Sequence, residues 1–160
     1  MKVAILYDKK EKIHSTNWSL SWEEYCNKNN IKYSVLNPYK IGVINSLLKY
    51  DIILWHYSGY SFKDMLMAKN ILNTIEFHGK KVYPPFKDAW HFDDKLAETY
   101  LLESIKAPIP NSFYYYDVQS LENDIKNNIL SFPIIAKLRN GSGSHNVKKV
   151  DSAKELRSYG

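Results

Sequence analysis

The residues of this chain best suited to chemistry are a lysine and the small, flexible loop that follows it. Phe132 to Ala136 is an apolar run long enough for a buried strand, Lys137 ends it, and Arg139-Asn140-Gly141-Ser142-Gly143-Ser144 follows. The pattern turns extended again from Asn146 to Val150, with Val147 and Val150 apolar. Strand, Gly/Ser turn and strand predict a hairpin. Glycine tolerates positive φ and lets backbone approach a ligand, so the N–H groups of such a tip wrap phosphate oxygens. Lys137 adds a point charge beside it. The candidate anion-binding residues are thus Lys137, Gly141, Ser142, Gly143 and Ser144. An ordinary hairpin turn satisfies the same local pattern.

Other phosphate loops fit less well. A dinucleotide fingerprint needs a third glycine where Asn146 stands, and a helix where a strand follows. A Walker A loop needs Gly-Lys-Ser/Thr entering a helix, and that triplet is absent. In a protein-kinase loop the lysine lies on the strand after the glycines, whereas Lys137 precedes them.

A second stretch bears on the first. Trp90-His91-Phe92-Asp93-Asp94-Lys95 opens a helix predicted to run to Ile105, with Asp93 or Asp94 as its N-cap. Ala107-Pro108-Ile109-Pro110, a predicted strand from Ser112 to Tyr116 and a helix come next, then the lysine-bearing strand and the hairpin. Over residues 84–160 this ordered set resembles the opening of the ATP-grasp fold of carboxylate–amine ligases. The resemblance implies that Lys95, of the Asp-Lys pair, and Lys137 bind ATP phosphates, and that the hairpin at Gly141 to Ser144 closes over them. It implies a protein that forms an acyl phosphate from a small-molecule carboxylate with ATP and passes the acyl group to an amine or similar nucleophile. The run from Trp90 to Pro110, with the hairpin, looks most like bacterial ATP-grasp proteins of surface-polysaccharide loci. The family's adenine-binding segment and its Mg²⁺ ligands are expected beyond residue 160. On that reading the chain is the N-terminal portion of such a protein and is inactive by itself. The alternative is a non-catalytic nucleotide- or anion-binding module.

Composition narrows the field. The 160 residues suggest one domain by length, and 44% hydrophobic content supports a real core. No apolar run approaches the roughly 18 residues that span a bilayer, and Met1 to Tyr7 is broken by the charges of Asp8 to Lys12. That start reads as a strand rather than a signal peptide, and a cytoplasmic protein without membrane contact is expected. Cys26 is the single cysteine, which excludes an intrachain disulfide and a cysteine-based metal site. The net charge of +5 suits an anionic ligand, but Arg139 and Arg157 are the only arginines and the lysines are scattered. Nucleic-acid surfaces lean on clustered charge and arginine forks, so that partner is not expected. The five histidines show no spacing typical of a metal site. A homodimer is left open.

The elements that position these residues read as alternating strands and helices. Strands are predicted at Lys2–Tyr7, Ile31–Leu36, Asp51–Tyr57 and Lys81–Tyr83. Between them come a helix to Asn29 capped by Ser15 or Thr16, a short helix over Ile41–Lys49, and one over Lys63–Phe77 closed by Gly79. The first helix carries a predicted inward stripe of Trp18, Trp22, Tyr25 and Cys26. The fold class is therefore α/β: a small Rossmann-like parallel sheet with its first strand internal, over residues 1–83, a proline-rich connector over 84–94, and the start of an α+β ATP-grasp domain over 95–160. Ligands of open α/β sheets sit at the carboxyl ends of strands. Those ends offer Asp8, His56 and Ser58 as candidate substrate contacts, with a hydrogen-bonded loop histidine as the alternative role for His56. His91, beside Lys95, is read either as reaching the nucleotide edge or as packing at the helix entry.

Overall fold

A computed structural model describes residues 1–7, 16–59, 61–141 and 143–159. The chain divides into two compact units, Met1–Phe92 and Asp93–Gly160.

The first unit is built from β1 (Val3–Leu6), α1 (Thr16–Lys28), β2 (Tyr33–Leu36), α2 (Val43–Leu47), β3 (Ile52–Leu54), α3 (Phe62–Phe77), β4 (Lys81–Tyr83) and α4 (Phe86–Ala89). Its four strands form one parallel sheet in the order β2-β1-β3-β4. Val3 lies opposite Tyr33 on one side and Ile52 on the other, so β1 is internal, as its unbroken apolar run predicts. All four β1 residues are buried. Leu6, Leu47, Ile53, Trp55, Leu72 and Ile75 form the heart of one apolar cluster. Ala68, Leu72 and Ile75 reach it from α3 because their spacing puts them on one helical face. That helix ends at Gly79, whose φ of 73° is easiest for glycine. The segment 84–94 contains α4, and its Ala89 is buried in the same cluster.

The start of α3 holds a buried charge. Ser61 caps the helix by accepting from the Asp64 N–H at 3.2 Å, while the Asp64 carboxylate accepts from Ser58 N–H at 2.6 Å and from the Tyr39 hydroxyl. Asp64 is 2% exposed, so an alanine there would strand buried donors. Asp64→Ala should therefore lower stability by about 1–3 kcal/mol, read as a lower urea midpoint of tryptophan fluorescence. An unchanged midpoint would show that the carboxylate contributes nothing.

The predicted stripe on α1 is corrected. Ser19 and Cys26 are buried and Trp22 and Glu23 half-buried, whereas Trp18 and Tyr25 are 51% and 61% exposed. The inward face thus sits on the 19/22/23/26 positions, because Glu23 turns in to accept from the hydroxyls of Tyr7 and Tyr33. Hydrophobicity alone had favoured the aromatic side. Burial and the Glu23 carboxylate push the Tyr7 hydroxyl up to about 12.

The second unit comprises α5 (Lys95–Ser104), α6 (Val118–Lys126), β5 (Ile134–Lys137), β6 (Val147–Val150) and α7 (Ala153–Arg157). β5 and β6 pair antiparallel, with Ile134 opposite Val150 and Lys137 opposite Val147. Leu130, Ala136, Val150 and Leu156 form a small core, backed by Leu121, Ile125 and Tyr159. The run into Lys137 is only half-buried as a result: alternation turns Ala136 in and leaves Ile135 55% exposed.

No strand forms at Ser112–Tyr116. A strand needs a neighbour for its backbone groups, and the sheet of this unit is β5 and β6 alone among the described residues. The tyrosines find other partners. The Tyr114 ring meets Tyr100 edge-on at 5.4 Å, the Tyr116 hydroxyl lies 3.3 Å from that of Tyr100, and the Tyr115 hydroxyl donates to Asp124 at 2.8 Å.

Candidate functional site: a clamped hairpin tip

The hairpin tip and the start of α5 meet within the second unit. Asp94 is the N-cap of α5, its carboxylate accepting from the N–H groups of Leu96 and Ala97 at 3.2 and 3.1 Å. The same carboxylate takes a bidentate fork from Arg139, with Nη2 at 2.6 Å and Nε at 3.0 and 3.1 Å. The Asp94 side chain is 12% exposed and that of Arg139 58%, so a nearly buried carboxylate is satisfied by two amides and one exposed cation. The pairing holds the Arg139 guanidinium still further above its ordinary range. Backbone contacts reinforce it. Lys95 N–H donates to Arg139 O at 3.0 Å, and Asp94 and Asn140 form an antiparallel bridge.

Lys95 is brought to the tip. Its ammonium donates to the Gly141 carbonyl at 2.5 Å, and Gly141 N–H donates to the Asp93 carboxylate at 3.3 Å. Asn140 Nδ2 donates to the Asp93 carbonyl at 3.2 Å. Gly141 has φ 128°, a region that side chains avoid, and Gly143, Ser144 and Asn146 are left-handed at 63°, 61° and 56°. Glycine at such positions lets backbone come close to a ligand.

Lys137 stands at the root of the tip and is exposed. The pairing of Lys137 with Val147 and of Ile135 with Lys149 places these four residues on one face of the hairpin. That face carries the Lys137 ammonium, the Lys149 ammonium paired with Asp151 at 2.6 Å, and two exposed apolar side chains, Ile135 and Val147.

Of the expected site residues, Lys95 and Gly141 are in contact, and Lys137, Gly143 and Ser144 lie on the same hairpin. Ser142 and Asp8 lie outside the described residues. His56 and Ser58 belong to the first unit. Ser58 is 7% exposed, with its N–H on Asp64. His56 is stacked on Trp18 at 5.3 Å, and its buried Nδ1 has no hydrogen-bond partner among the described residues. His91 lies edge-on to Trp90 at 5.5 Å.

Sequence reading overlooked Asp93 as a ligand of the tip and the whole Asp94–Arg139 pair. The one available signal was an unusual charge sequence, Asp-Asp-Lys in one segment and a rare arginine in the other. Among the described residues no group of three or more His, Cys, Asp or Glu side chains is placed to hold a metal ion. None of the described helices is long and apolar enough to cross a membrane.

No family model and no curated protein matches the sequence. Solved structures do match. D-alanine–D-alanine ligase from Bacillus anthracis superposes with a TM-score of 0.70 at 19% identity, over 99% of this chain and 52% of that one. A RimK domain protein ATP-grasp from Sphaerobacter thermophilus DSM 20745 gives 0.63 at 14% identity, over 99% and 56%. N5-carboxyaminoimidazole ribonucleotide synthetase from Thermotoga maritima gives 0.61 at 19%, over 98% and 42%. A second structure of the Bacillus anthracis ligase, which matches at 0.64 and 16% over 99% and 53%, is complexed with ATP. The four-stranded parallel sheet with its small antiparallel pair is the fold of the N-terminal half of ATP-grasp ligases. The chain spans about half the length of the chains it matches.

Proposed function

We propose that these 160 residues are the N-terminal portion of an ATP-grasp ligase-type protein, and that Lys95, Lys137 and the tip from Gly141 through Ser142 and Gly143 to Ser144 hold the phosphates of ATP. The observation that most supports this is the Lys95 ammonium on Gly141, which joins two features 46 residues apart in sequence. It occurs in a fold shared with a ligase that has been seen with ATP.

In the reaction of such ligases a carboxylate oxygen attacks the γ-phosphorus, ADP leaves, and an amine then displaces phosphate from the acyl phosphate. The part these residues take is electrostatic. The two ammonium groups and the tip backbone neutralise charge on the phosphates and fix their position, at no cost of rearranging solvent during transfer. Among the described residues no group of three or more His, Cys, Asp or Glu side chains is placed to hold Mg²⁺. The adenine pocket and the Mg²⁺ ligands are assigned to polypeptide outside these residues.

In this reading residues 1–83 are the domain that precedes the ATP-grasp core, 84–94 connect it, and 95–160 begin the core. The carboxyl edge of the first sheet, at Asp8, His56 and Ser58, is assigned to the acid substrate. The proposed site of action is the cytoplasm; among the described residues no helix is long and apolar enough to cross a membrane.

The test is Lys137→Met. Each charge-assisted contact contributes about 1.5–3 kcal/mol, so the variant should weaken Mg·ATP about tenfold to a hundredfold. The comparison is made as nucleotide affinity in a full-length context. Equal affinity in the variant and the parent would remove Lys137 from the site.

A further inference from the structure

The clamp described above ties both sides of one residue. Gly141 offers its N–H to the Asp93 carboxylate and its carbonyl to the Lys95 ammonium. Those are a tip amide and a cation to which phosphate binding has been assigned. We infer that Asp93 is an internal occupant of the phosphate site, its carboxylate standing where a phosphate oxygen binds and leaving when nucleotide arrives.

Three features carry this. The first is chemical: a carboxylate oxygen on the Gly141 amide makes the same charge-assisted contact that a phosphate oxygen makes. The second is the backbone of Asp93. Its φ of 55° is left-handed, a conformation tolerated by Asp, Asn and Gly and avoided by most residues. That conformation belongs to the segment which aims the carboxylate back at a residue 48 positions later.

The third is the division of labour between adjacent acids. Asp94 is committed to the helix cap and the Arg139 fork, which hold the tip against α5 whether or not Gly141 is engaged. Asp93 makes the contact that can be exchanged, at 3.3 Å and longer than the 2.6 Å of the Arg139 pair. Gly141 is the residue best able to rotate its amide from one acceptor to another.

The inference rests on the nucleotide reading and gives it a regulation. The open, ligand-free tip is not an empty cradle. Apparent affinity is lowered by the fraction of molecules in which the carboxylate is seated. Asp93 also places a negative charge beside an incoming polyanion.

The experiment compares the parent chain with Asp93→Gly and Asp93→Asn. Glycine removes the carboxylate and suits the left-handed backbone, while asparagine keeps the shape and removes the charge. Without ligand, the Gly141 amide should exchange its hydrogen faster in Asp93→Gly than in the parent. With Mg·ATP titrated against amide resonances, Asp93→Gly should bind about three- to tenfold tighter, and Asp93→Asn should fall between it and the parent. Unchanged exchange at Gly141 would overturn the clamp. Binding by the parent without tightening in either variant would overturn this inference alone. No ATP-dependent shift in any of the three at about ten times a millimolar dissociation constant would overturn the nucleotide reading, and this inference with it.

Discussion

Mg·ATP added to the 160-residue chain is expected to bind no tighter than about millimolar and to be recovered unhydrolysed. Two lysine contacts contribute about 1.5–3 kcal/mol each. Against that stands the ordering of the tip, about 1–2 kcal/mol for each residue fixed, and the loss of the contacts that hold Gly141 in the clamp. The two contacts together are close to the roughly 4 kcal/mol of a millimolar complex before those costs, and what remains after them is less. Turnover needs more than a grip on phosphate. Among the described residues nothing gathers three metal-ligating side chains, and the chains that share the fold are about twice as long. Calorimetry and a phosphate-release assay decide the matter. Micromolar binding or steady release of phosphate would mean that the rest of the site is supplied within these residues or by a second copy of the chain.

Leu72→Ala is expected to cost the first unit about 2–5 kcal/mol, the range for truncating a fully buried leucine in a core that cannot collapse around the gap. Leu72 is 0% exposed and packs in one cluster with Ile53, Trp55 and Ile75, between α3 and the sheet. All four tryptophans, at 18, 22, 55 and 90, lie in the first unit, so their fluorescence reports its unfolding. The urea midpoint should fall sharply while the slope of the transition stays the same. A shift worth less than about 1 kcal/mol would mean that the α3–sheet seam is looser than its burial indicates.

The amide titrations also bear on Arg139 and Asp94. Their fork is exposed on the arginine side, so its contribution to stability is modest, and its importance is positional.

Much of this molecule is written locally. The apolar runs at Val3–Leu6 and Ile52–Trp55, punctuated by helical spacing in α3, specify a parallel sheet with β1 inside, because only strands covered on both faces tolerate such runs. Asp94 as a cap, Gly79 as a stop and the Gly/Ser turn between β5 and β6 are likewise short-range chemistry, complete within a few residues. What the sequence could not decide depends on partners far along the chain. Ser112–Tyr116 has the composition of a strand but no neighbour to pair with, and its tyrosines turn to Tyr100 and Asp124 instead. The inward face of α1 is set by Glu23 meeting Tyr7 and Tyr33, which no periodicity within the helix reveals. Lys95 and the tip were recognisable separately. Only folding places them in contact across 46 residues, and only folding puts the Asp93 carboxylate on the Gly141 amide and the Asp94 carboxylate in the Arg139 fork. A side chain's type is local, but the charge or donor it meets is a property of the tertiary structure.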